Sequence, residues 1–524
     1  MFMKMENTIW SLVPPIIAIV MVLVTKRVLL SLGVGIITSA LFLTKFHIVE
    51  AGKYIYESFK VSFVEDGSLN TWSIFILLFI LSLGVLTSFI TLLGGTRAFG
   101  DWMIKRIKTR EGAQFMPMVL GIIIFIDDYF NSLTVGPISR PVTDRHRVSR
   151  AKLAYIVDST AAPISVIAPI SSWGAYIIGL IGSVLVAVNV TTYTAFEAFI
   201  QTIPMNFYVW AALGTIVVII LTKVDYGPMR QHEQRAILTG EVLVEEDSTV
   251  NQSEKVIMSD KGKVSDLLIP IITLVVVTLV LMYITGYQAL SGDRTLMNIF
   301  GEADEALSLF VGGIVSIAVV TYLFFRQKRA VALQSTSFMT GIITGVKSMI
   351  SAVFILLFAW AISHLIDLLE TGNYLGNVIA SANINVAFLP VIMFVLAGFI
   401  AFSTGTSWGS FAILLPIAGQ ISSVVDIDML IPSLAAVLAG AVFGDHCSPI
   451  SDTTILSSTG SGSHHIDHVT TQLPYALTSA AITAIAYIAL GLTGSVIIGL
   501  IVVIISLALL FAILKSMSKQ QVTT

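Results

Sequence analysis

Long apolar runs separated by short polar segments extend from one end of the chain to the other. Runs of about 20 apolar residues are long enough to cross a bilayer as helices. They predict spans at 8–25, 28–44, 72–94, 203–222, 267–287, 307–325, 342–366, 473–490 and 494–514. With the longer, interrupted runs included, the pattern predicts an all-α polytopic membrane protein of about 11 transmembrane helices plus two hairpins.

Two apolar runs do not fit a simple crossing. The run 115–138 has a basic cluster on each side, at 105–110 and 140–152, whereas positively charged loops are expected on the cytoplasmic side only. A re-entrant hairpin with its tip at 125–131 keeps both clusters on one side, because two half-helices of about 12 residues reach the middle of the bilayer. The run 386–417, interrupted by polar residues at 402–409, predicts a second hairpin.

Two further runs are too long for one straight helix and contain polar interruptions with prolines. They are 154–188, with Pro163 and Pro169, and 431–458, with Pro449. Each predicts a discontinuous helix that follows a hairpin. Short stretches in the two halves are also similar in sequence, 162–165 to 448–451 and 172–176 to 407–411. We therefore predict two inverted-topology repeats, each with a re-entrant hairpin and a discontinuous helix, a common plan of secondary transporters.

The charge pattern divides the chain into four parts. They are a first transmembrane repeat (1–222), a charged cytoplasmic linker expected to be solvated (223–264), a second, inverted repeat (265–491), and an extra C-terminal helix with a tail (492–524). Lys515 and Lys519 place the C-terminus in the cytoplasm, and the count of crossings then places the N-terminus outside. The first apolar segment lacks a small-residue cleavage site, so we expect it to be retained.

Composition narrows the class of protein. Hydrophobic residues make up 56% of the 524 residues and charged residues only 12%, compared with about 25% charged residues in soluble proteins. The single cysteine, Cys447, excludes an internal disulfide. The sequence has no Walker or haem-attachment motif, and the Gly-x-Gly-Asp pattern of intramembrane aspartyl proteases fails at Asp445. A pump, a redox enzyme and a protease are therefore disfavoured, and we predict no catalytic residues.

The chemistry-bearing residues are concentrated in the four polar interruptions. Ionisable groups at membrane depth are costly and are kept for ion paths, proton relays or ligand sites. Carboxylates and hydroxyls beside the carbonyls of broken helices form an oxygen-rich site suited to Na⁺ or a proton. The candidate ion- or substrate-binding residues are Asp127, Asp128, Asn131, Asp158, Ser159, Thr160, Thr404, Thr406, Ser407, Asp445, Ser448, Asp452 and Thr453. Among them, Asp128 and Asp445 are predicted to bind Na⁺ and to exchange it for H⁺.

Structural roles stay open as alternatives for these residues. Asp127 and Asp128 would also serve as helix caps, Asp158 would also fit a cytoplasmic vestibule, and the hydroxyls at 404–407 would also bond to their own helix. A buried structural network is the alternative for Asp445 and Asp452. The histidines expected in an ordinary solvated loop, rather than in a metal or pH-sensing cluster, are His464, His465 and His468.

The stretches 125–131 and 444–454, the latter Gly444-Asp445-His446-Cys447-Ser448-Pro449-Ile450-Ser451-Asp452-Thr453-Thr454, resemble the NhaC family of Na⁺/H⁺ antiporters. The resemblance implies a multi-pass secondary antiporter of the ion transporter superfamily in a bacterial plasma membrane. It would work by alternating access, with Na⁺ and H⁺ as transported ions and no cofactor. Some similar proteins exchange organic acids or take up amino acids with Na⁺, so Na⁺-coupled transport of such a solute stays open as the alternative. A homodimer also stays open, and a channel is disfavoured.

Overall fold

The computed structural model describes residues 6–25, 27–65, 67–243, 259, 261–289, 299, 302–330, 336–371, 374, 385–449 and 451–522, and these are almost entirely helical. One short antiparallel hairpin pairs β1 (Val64–Glu65) with β2 (Ser68–Leu69). Short 3-10 helices at Ile9–Leu12, Val386–Phe388 and Ile427–Met429 each lead into a longer helix.

The helices form one group before residue 240 and a second group after it. The first group is α1 (Val13–Thr25), α2 (Val28–Leu43), α3 (Ile48–Lys60), α4 (Thr71–Leu93), α5 (Gly95–Ile104), α6 (Arg110–Ile123), α7 (Asp128–Arg145), α8 (Arg150–Ser165), α9 (Ser172–Ala187), α10 (Ala195–Met205), α11 (Phe207–Thr222) and α12 (Pro228–Thr239). The second group is α13 (Ser265–Ala289), α14 (Glu305–Ala330), α15 (Thr336–Leu368), α16 (Leu389–Thr404), α17 (Ser407–Val425), α18 (Leu430–Cys447), α19 (Asp452–Ser461), α20 (His465–Thr493) and α21 (Val496–Val522).

The prediction of a polytopic helical membrane protein is confirmed. In the part of the chain that the structure describes, nine helices are long and apolar enough to cross a membrane, and the bent pair α10–α11 would make a tenth. The nine include Val386–Thr404 and Ser407–Val425, the two segments of the predicted second hairpin, which the prediction counted apart from its 11 helices. They leave out shorter apolar helices such as Val28–Leu43 and Ser172–Ala187.

All four predicted interruptions are breaks between helices. We call α6–α7 hairpin 1, α8–α9 broken helix 1, α16–α17 hairpin 2 and α18–α19 broken helix 2. Asp127, Ser171 and Ser451 each accept a hydrogen bond from the backbone N–H three residues ahead, as N-cap residues do. Gly405 ends α16 with φ of 70°, which glycine adopts without strain. Local residue choice therefore decides where these helices begin and end.

The second segment of each broken helix packs against the other half of the chain. Helix α19 lies against α7 and α8, and helix α9 lies against α15 and α17. At the C-terminal end of α19, Arg140 and Arg150 donate to the carbonyl oxygens of Gly460 and Gly462 at 3.0 and 3.4 Å. Cations are favourable at this end of a helix. The two halves are thus interlocked through the segments that follow the breaks.

Helices α16 and α18 share the most extensive contact between described helices. Gly440 and Gly444 lie one turn apart on α18, and a Cβ atom on either would overlap the α16 backbone at Phe394 or Gly398. Small residues four apart allow membrane helices to approach closely. The contact fixes α18, which carries Asp445, against hairpin 2.

The start of the predicted linker is docked onto the first repeat. The Nζ atom of Lys152, in the first turn of α8, lies 2.9 Å from an Asp225 carboxylate oxygen and 3.4 Å from a Glu233 oxygen. Glu233 is buried and also pairs with Arg110 and accepts from the Ser149 N–H at 2.7 Å. The expectation of a solvated linker is wrong for these residues.

The chain is attached to the first repeat again before the second repeat begins. The Ser259 N–H donates to the carbonyl oxygen of Leu92, at the end of α4, at 3.0 Å. Just beyond it, buried Asp266 accepts from Arg326 at 3.0 Å and from Gln327 at 2.7 Å. Residues 244–258 of the predicted linker lie outside the described residues.

The close contact between α16 and α18 predicts that Gly440→Ala destabilises the protein. The added methyl group meets backbone that cannot move aside, and overpacking of this kind costs about 1–3 kcal/mol. Gly52→Ala is the control, because a Cβ there meets nothing within 4 Å. We expect a lower thermal unfolding midpoint in detergent for Gly440→Ala only. Equal midpoints for the two variants would contradict this packing argument.

The buried ion pairs at the linker start predict a pH-dependent effect of Glu233→Gln. Burial alone would raise the pKa of the Glu233 carboxyl, but the charges of Lys152 and Arg110 and the Ser149 N–H hold this pKa below its ordinary value. Its carboxylate therefore stabilises the folded state above about pH 4.3, and the contribution is lost as pH falls through the folded-state pKa.

We expect Glu233→Gln to lower the free energy of unfolding by about 3 kcal/mol at neutral pH, because it removes the buried charge opposite Lys152 and Arg110. Lys152 keeps its contact with Asp225, so the loss should lie at the lower end for a broken buried ion pair. The difference from the wild type should narrow below about pH 4, measured by thermal unfolding in detergent. Glu241→Gln, at an exposed position, is the control and should change little. A difference that stays constant from neutral to acidic pH would show that the charge of Glu233 is not what stabilises the fold.

Candidate functional site

The tips of both hairpins line one cavity of about 550 Å³. Its walls also include the start of α2, one face of α15 and the first residue of α19. Its polar lining residues include Arg27, Asp127, Asp128, Thr404, Thr406 and Asp452. The cavity therefore lies where the two halves meet and where helix breaks leave backbone groups exposed, an arrangement tolerated in membranes only beside protein or a watery cavity.

The two adjacent acids at the tip of hairpin 1 have different environments. The Asp127 carboxylate accepts from the Phe130 N–H at 2.9 Å and from the Ser172 hydroxyl at 2.9 Å. Asp128 is equally buried, but its Oδ2 atom has no hydrogen-bond partner among the described residues. Asp127 thus caps α7 and joins it to broken helix 1, whereas Asp128 keeps a carboxylate oxygen free.

A second carboxylate with a free oxygen lies beside the break of hairpin 2. Asp445, in the last turn of α18, accepts from the Ser407 N–H at 3.2 Å and from the Ser407 hydroxyl at 2.7 Å, both through Oδ2. Its buried Oδ1 atom has no partner within the described chain. Asp445 does not line the cavity, but Ser407 directly follows the lining residue Thr406. The Ser448 hydroxyl completes this junction by donating to the Phe402 carbonyl at 2.7 Å.

The other predicted residues of broken helix 2 and hairpin 2 have local or bridging roles. The Tyr129 hydroxyl donates to Asp452 Oδ2 at 3.2 Å and so joins hairpin 1 to broken helix 2 at the cavity. The Thr404 hydroxyl donates to its own helix, to the Ile400 carbonyl at 2.9 Å. The hydroxyl oxygens of Thr453 and Ser451 lie 2.9 Å apart. Of these residues, Asp452 is the one that ties the two halves together.

The two similar segments that contain a tryptophan, 172–176 and 407–411, contact each other next to the cavity. The Tyr176 hydroxyl donates to the Trp408 carbonyl at 2.9 Å, and the centroids of the two rings lie 4.2 Å apart. The rings of Trp173 and Trp408 have centroids 5.9 Å apart in an edge-on arrangement. The start of α9 and the start of α17 therefore meet across the interface between the halves.

Asp158 lies in a separate buried network between α8, α19 and α20. Its carboxylate accepts from the hydroxyls of Thr454 at 3.0 Å and Ser457 at 3.2 Å, from His468 Nε2 at 3.1 Å and from Gln472 Nε2 at 3.0 Å. None of these five residues lines the hairpin cavity. His468 is fully buried, so the expectation that it lies in a solvated loop is wrong.

Three further candidates also lie away from the cavity lining. The Asn131 side chain donates to the carbonyls of Gly121 and Thr160 at 2.8 and 3.1 Å, which joins hairpin 1 to α8. The Thr160 hydroxyl donates to its own helix. The Ser159 hydroxyl lies 3.0 Å from His446 Nε2. Their assignment to the ion site stays a prediction.

Sequence reasoning missed several residues that the structure brings to these sites. His468 and Gln472 are four residues apart on one face of α20, and that spacing was the available signal. Tyr129 stands inside the stretch 125–131 that carries the family resemblance. Arg27 gave no signal, because a basic residue between two apolar runs is ordinary.

Comparisons with known proteins agree with this architecture. A family model described as the Na⁺/H⁺ antiporter family matches residues 166–492. A protein of Haemophilus influenzae, described as uncharacterized, is 44% identical over 97% of this chain and 96% of its own length. A Bacillus subtilis protein named malate-2H⁺/Na⁺-lactate antiporter is 28% identical over 37% of this chain and 39% of its own length. The YdaH transporter structure from Alcanivorax borkumensis matches with a TM-score of 0.55 at 14% identity, covering 85% of this chain and 90% of that chain, which shows a shared fold.

The unequal environments of Asp127 and Asp128 predict unequal effects on stability. Asp127→Ala removes the cap of α7 and should lower the free energy of unfolding by about 1 kcal/mol or more. Asp128→Ala removes a buried carboxylate with a free oxygen, so stability should be unchanged or higher. Thermal unfolding of both variants in detergent, without added Na⁺, makes the comparison. A larger loss for Asp128→Ala would reverse the assignment of the cap.

Proposed function

Because the chain belongs to the Na⁺/H⁺ antiporter family, we propose that it is a secondary transporter that exchanges Na⁺ for H⁺ across a bacterial plasma membrane. Exchange proceeds by alternating access, with aspartate carboxylates binding Na⁺ or H⁺ in turn. The observation that carries this proposal is the pair of buried carboxylate oxygens, Asp128 Oδ2 and Asp445 Oδ1. Neither receives a hydrogen bond of ordinary length and angle from a described residue, and the nearby donors are the neutral side chains of Trp173 and Ser451.

Buried carboxylates without partners need a compensating positive charge. A proton or a Na⁺ ion supplies that charge, and one carboxylate oxygen does not hold both. Hydroxyl, carboxylate and carbonyl oxygens are the ligands that hard cations prefer. Competition for Asp128 and Asp445 would then couple the two ions, because release of one is the condition for binding the other.

The contacts between the two halves at the cavity support a moving site. They include the Tyr129–Asp452 and Tyr176–Trp408 hydrogen bonds, and neither is an ion pair. Such contacts cost little to exchange for others when one hairpin and its broken helix shift against the opposite half. The N-terminus would lie outside and the C-terminus in the cytoplasm, with the repeats at 1–222 and 265–491, the linker at 223–264 and the extra helix at 492–524.

This proposal predicts that Asp445→Asn abolishes Na⁺-driven proton movement. Purified protein in sealed liposomes containing a pH-sensitive dye is given an imposed proton gradient, and NaCl is then added. The wild type should dissipate the gradient. The variant should not, because the neutral asparagine amide neither takes up a proton nor supplies a negative charge to bind Na⁺. Asp428→Asn, an exposed substitution just before α18, is the matched control and should behave as wild type. Undiminished exchange in Asp445→Asn would remove this carboxylate from the mechanism.

A second candidate function is Na⁺-coupled transport of a small organic acid or amino acid. Arg27 is a fixed cation on the cavity wall, and it would suit a carboxylate solute. The Bacillus subtilis relative named malate-2H⁺/Na⁺-lactate antiporter is in line with it. The same liposomes distinguish the two candidates. An unchanged proton gradient with NaCl alone, followed by its dissipation when malate, lactate or an amino acid is added, would favour the second.

A further inference from the structure

Helix α5 turns away from the end of α4 and is fixed in position on its inner face. Gly94 lies between the two helices with φ of 70°, which glycine adopts without strain. On the inner face, a Cβ atom on Gly95 would overlap the backbone of α13 at Leu267, and one on Gly100 would overlap Ile138 of α7. The outer face of α5 is therefore a surface with a defined position and not that of a loosely attached segment.

The outer face of α5 contains a shallow recess of about 580 Å³, lined by Ala98, Asp101, Trp102, Lys105 and Arg106. Trp102 is 43% exposed, and Arg106 Cζ lies 4.1 Å from the centroid of its ring. A guanidinium group stacked on an aromatic ring keeps the N–H groups at its edge available. Among the described residues, neither Lys105 nor Arg106 has a hydrogen-bond or ion-pair partner for its side-chain charge. The recess therefore has two cations with donors to offer.

The charges around the recess favour an anion. Lys105, Arg106 and Lys108 are exposed, and they face a single acid in the lining, Asp101. Arginine binds phosphate oxygens through two parallel N–H groups, and lysine adds a compact positive charge. A phosphate group thus fits the donors and the net charge of this surface.

The location of α5 indicates that this phosphate belongs to a lipid. Helix α4 is long and apolar enough to cross a membrane, and only Gly94 separates it from α5. The recess therefore lies near the level of the lipid headgroups. Tryptophan is enriched at this level, and helices that lie along a membrane surface combine basic residues with exposed aromatic ones. Trp102 and Arg106 form such a combination within one recess.

We infer that the recess on α5 binds the headgroup of an anionic phospholipid in the leaflet where α4 ends. Arg106 donates the N–H groups at its edge to phosphate oxygens, and Lys105 supplies a second positive charge. The exposed part of the Trp102 ring packs against the glycerol and the first carbons of the acyl chains. A zwitterionic lipid binds less tightly, because its own cation competes with these side chains for the phosphate. The inference stands whichever ion or solute the protein transports.

Binding of single lipids to the delipidated, full-length protein in detergent tests the inference. Native mass spectrometry gives the apparent Kd of the first bound lipid, for phosphatidylglycerol and for phosphatidylcholine with the same acyl chains. We expect the wild type to bind phosphatidylglycerol at least about tenfold more tightly, because two cations next to the headgroup both favour the anionic lipid. The double variant Lys105→Gln with Arg106→Gln should lose most of this preference.

Two further variants separate the recess from the general charge of the protein. Arg145→Gln with Arg230→Gln removes the same number of positive charges from exposed positions outside α5. This matched control should keep the wild-type preference. Trp102→Leu keeps both cations but removes the ring on which Arg106 stacks, so it should weaken the binding of phosphatidylglycerol by a smaller factor. All these side chains are exposed, and equal thermal unfolding midpoints would verify that each variant is folded.

The inference has several ways to fail. Equal affinity of the wild type for the two lipids would overturn it, and so would an undiminished preference in the Lys105 and Arg106 double variant. An equal loss in the control pair would show attraction by the overall charge and not by a site on α5. Displacement of phosphatidylglycerol by an equal concentration of inorganic phosphate would identify a site for a soluble anion, which contradicts a lipid site.

Discussion

A polar group that is buried away from water has to find its partner inside the protein, and this requirement shapes the centre of the molecule. Helix breaks expose backbone groups, and at both hairpins a neighbouring break supplies the partner. The Ser172 N–H at broken helix 1 donates to the Ile126 carbonyl at hairpin 1 at 2.8 Å. Ser407 of hairpin 2 and Asp445 of broken helix 2 bind each other in the same way. Each hairpin is therefore held in place by the broken helix that follows it.

Some of the buried polar atoms without a hydrogen-bond partner belong to ionisable side chains. Asp128 Oδ2, Asp445 Oδ1 and His468 Nδ1 are buried and have no partner among the described residues. The carboxylates Asp127 and Asp158 differ in that hydrogen bonds engage both of their oxygens. Asp127 and Asp158 thus have both carboxylate oxygens hydrogen-bonded within the protein, whereas Asp128 and Asp445 each keep one oxygen that an ion would satisfy. This difference depends on single hydrogen bonds and not on residue type.

The positions of the breaks were predictable from the sequence, because their signals are local. Prolines, capping residues and a glycine stand directly at the interruptions, and apolar runs of excessive length surround them. The difference between Asp127 and Asp128 was not predictable, because it depends on Ser172, far along the chain. His468 was missed for the same reason: three histidines within five residues are typical of a loop, and burial comes from packing of α20 against α8 and α19. The close approach at Gly440 and Gly444 had a sequence signal, two glycines four apart.

The docking of the chain on both sides of residues 244–258 has a consequence for how the two halves are connected. Arrival at the Glu233 cluster and departure at Ser259 are both fixed on the first repeat. Both points of attachment therefore lie on the first half of the chain. The covalent connection to the second half is made between Ser259 and α13, beside the ion pair of Asp266 with Arg326.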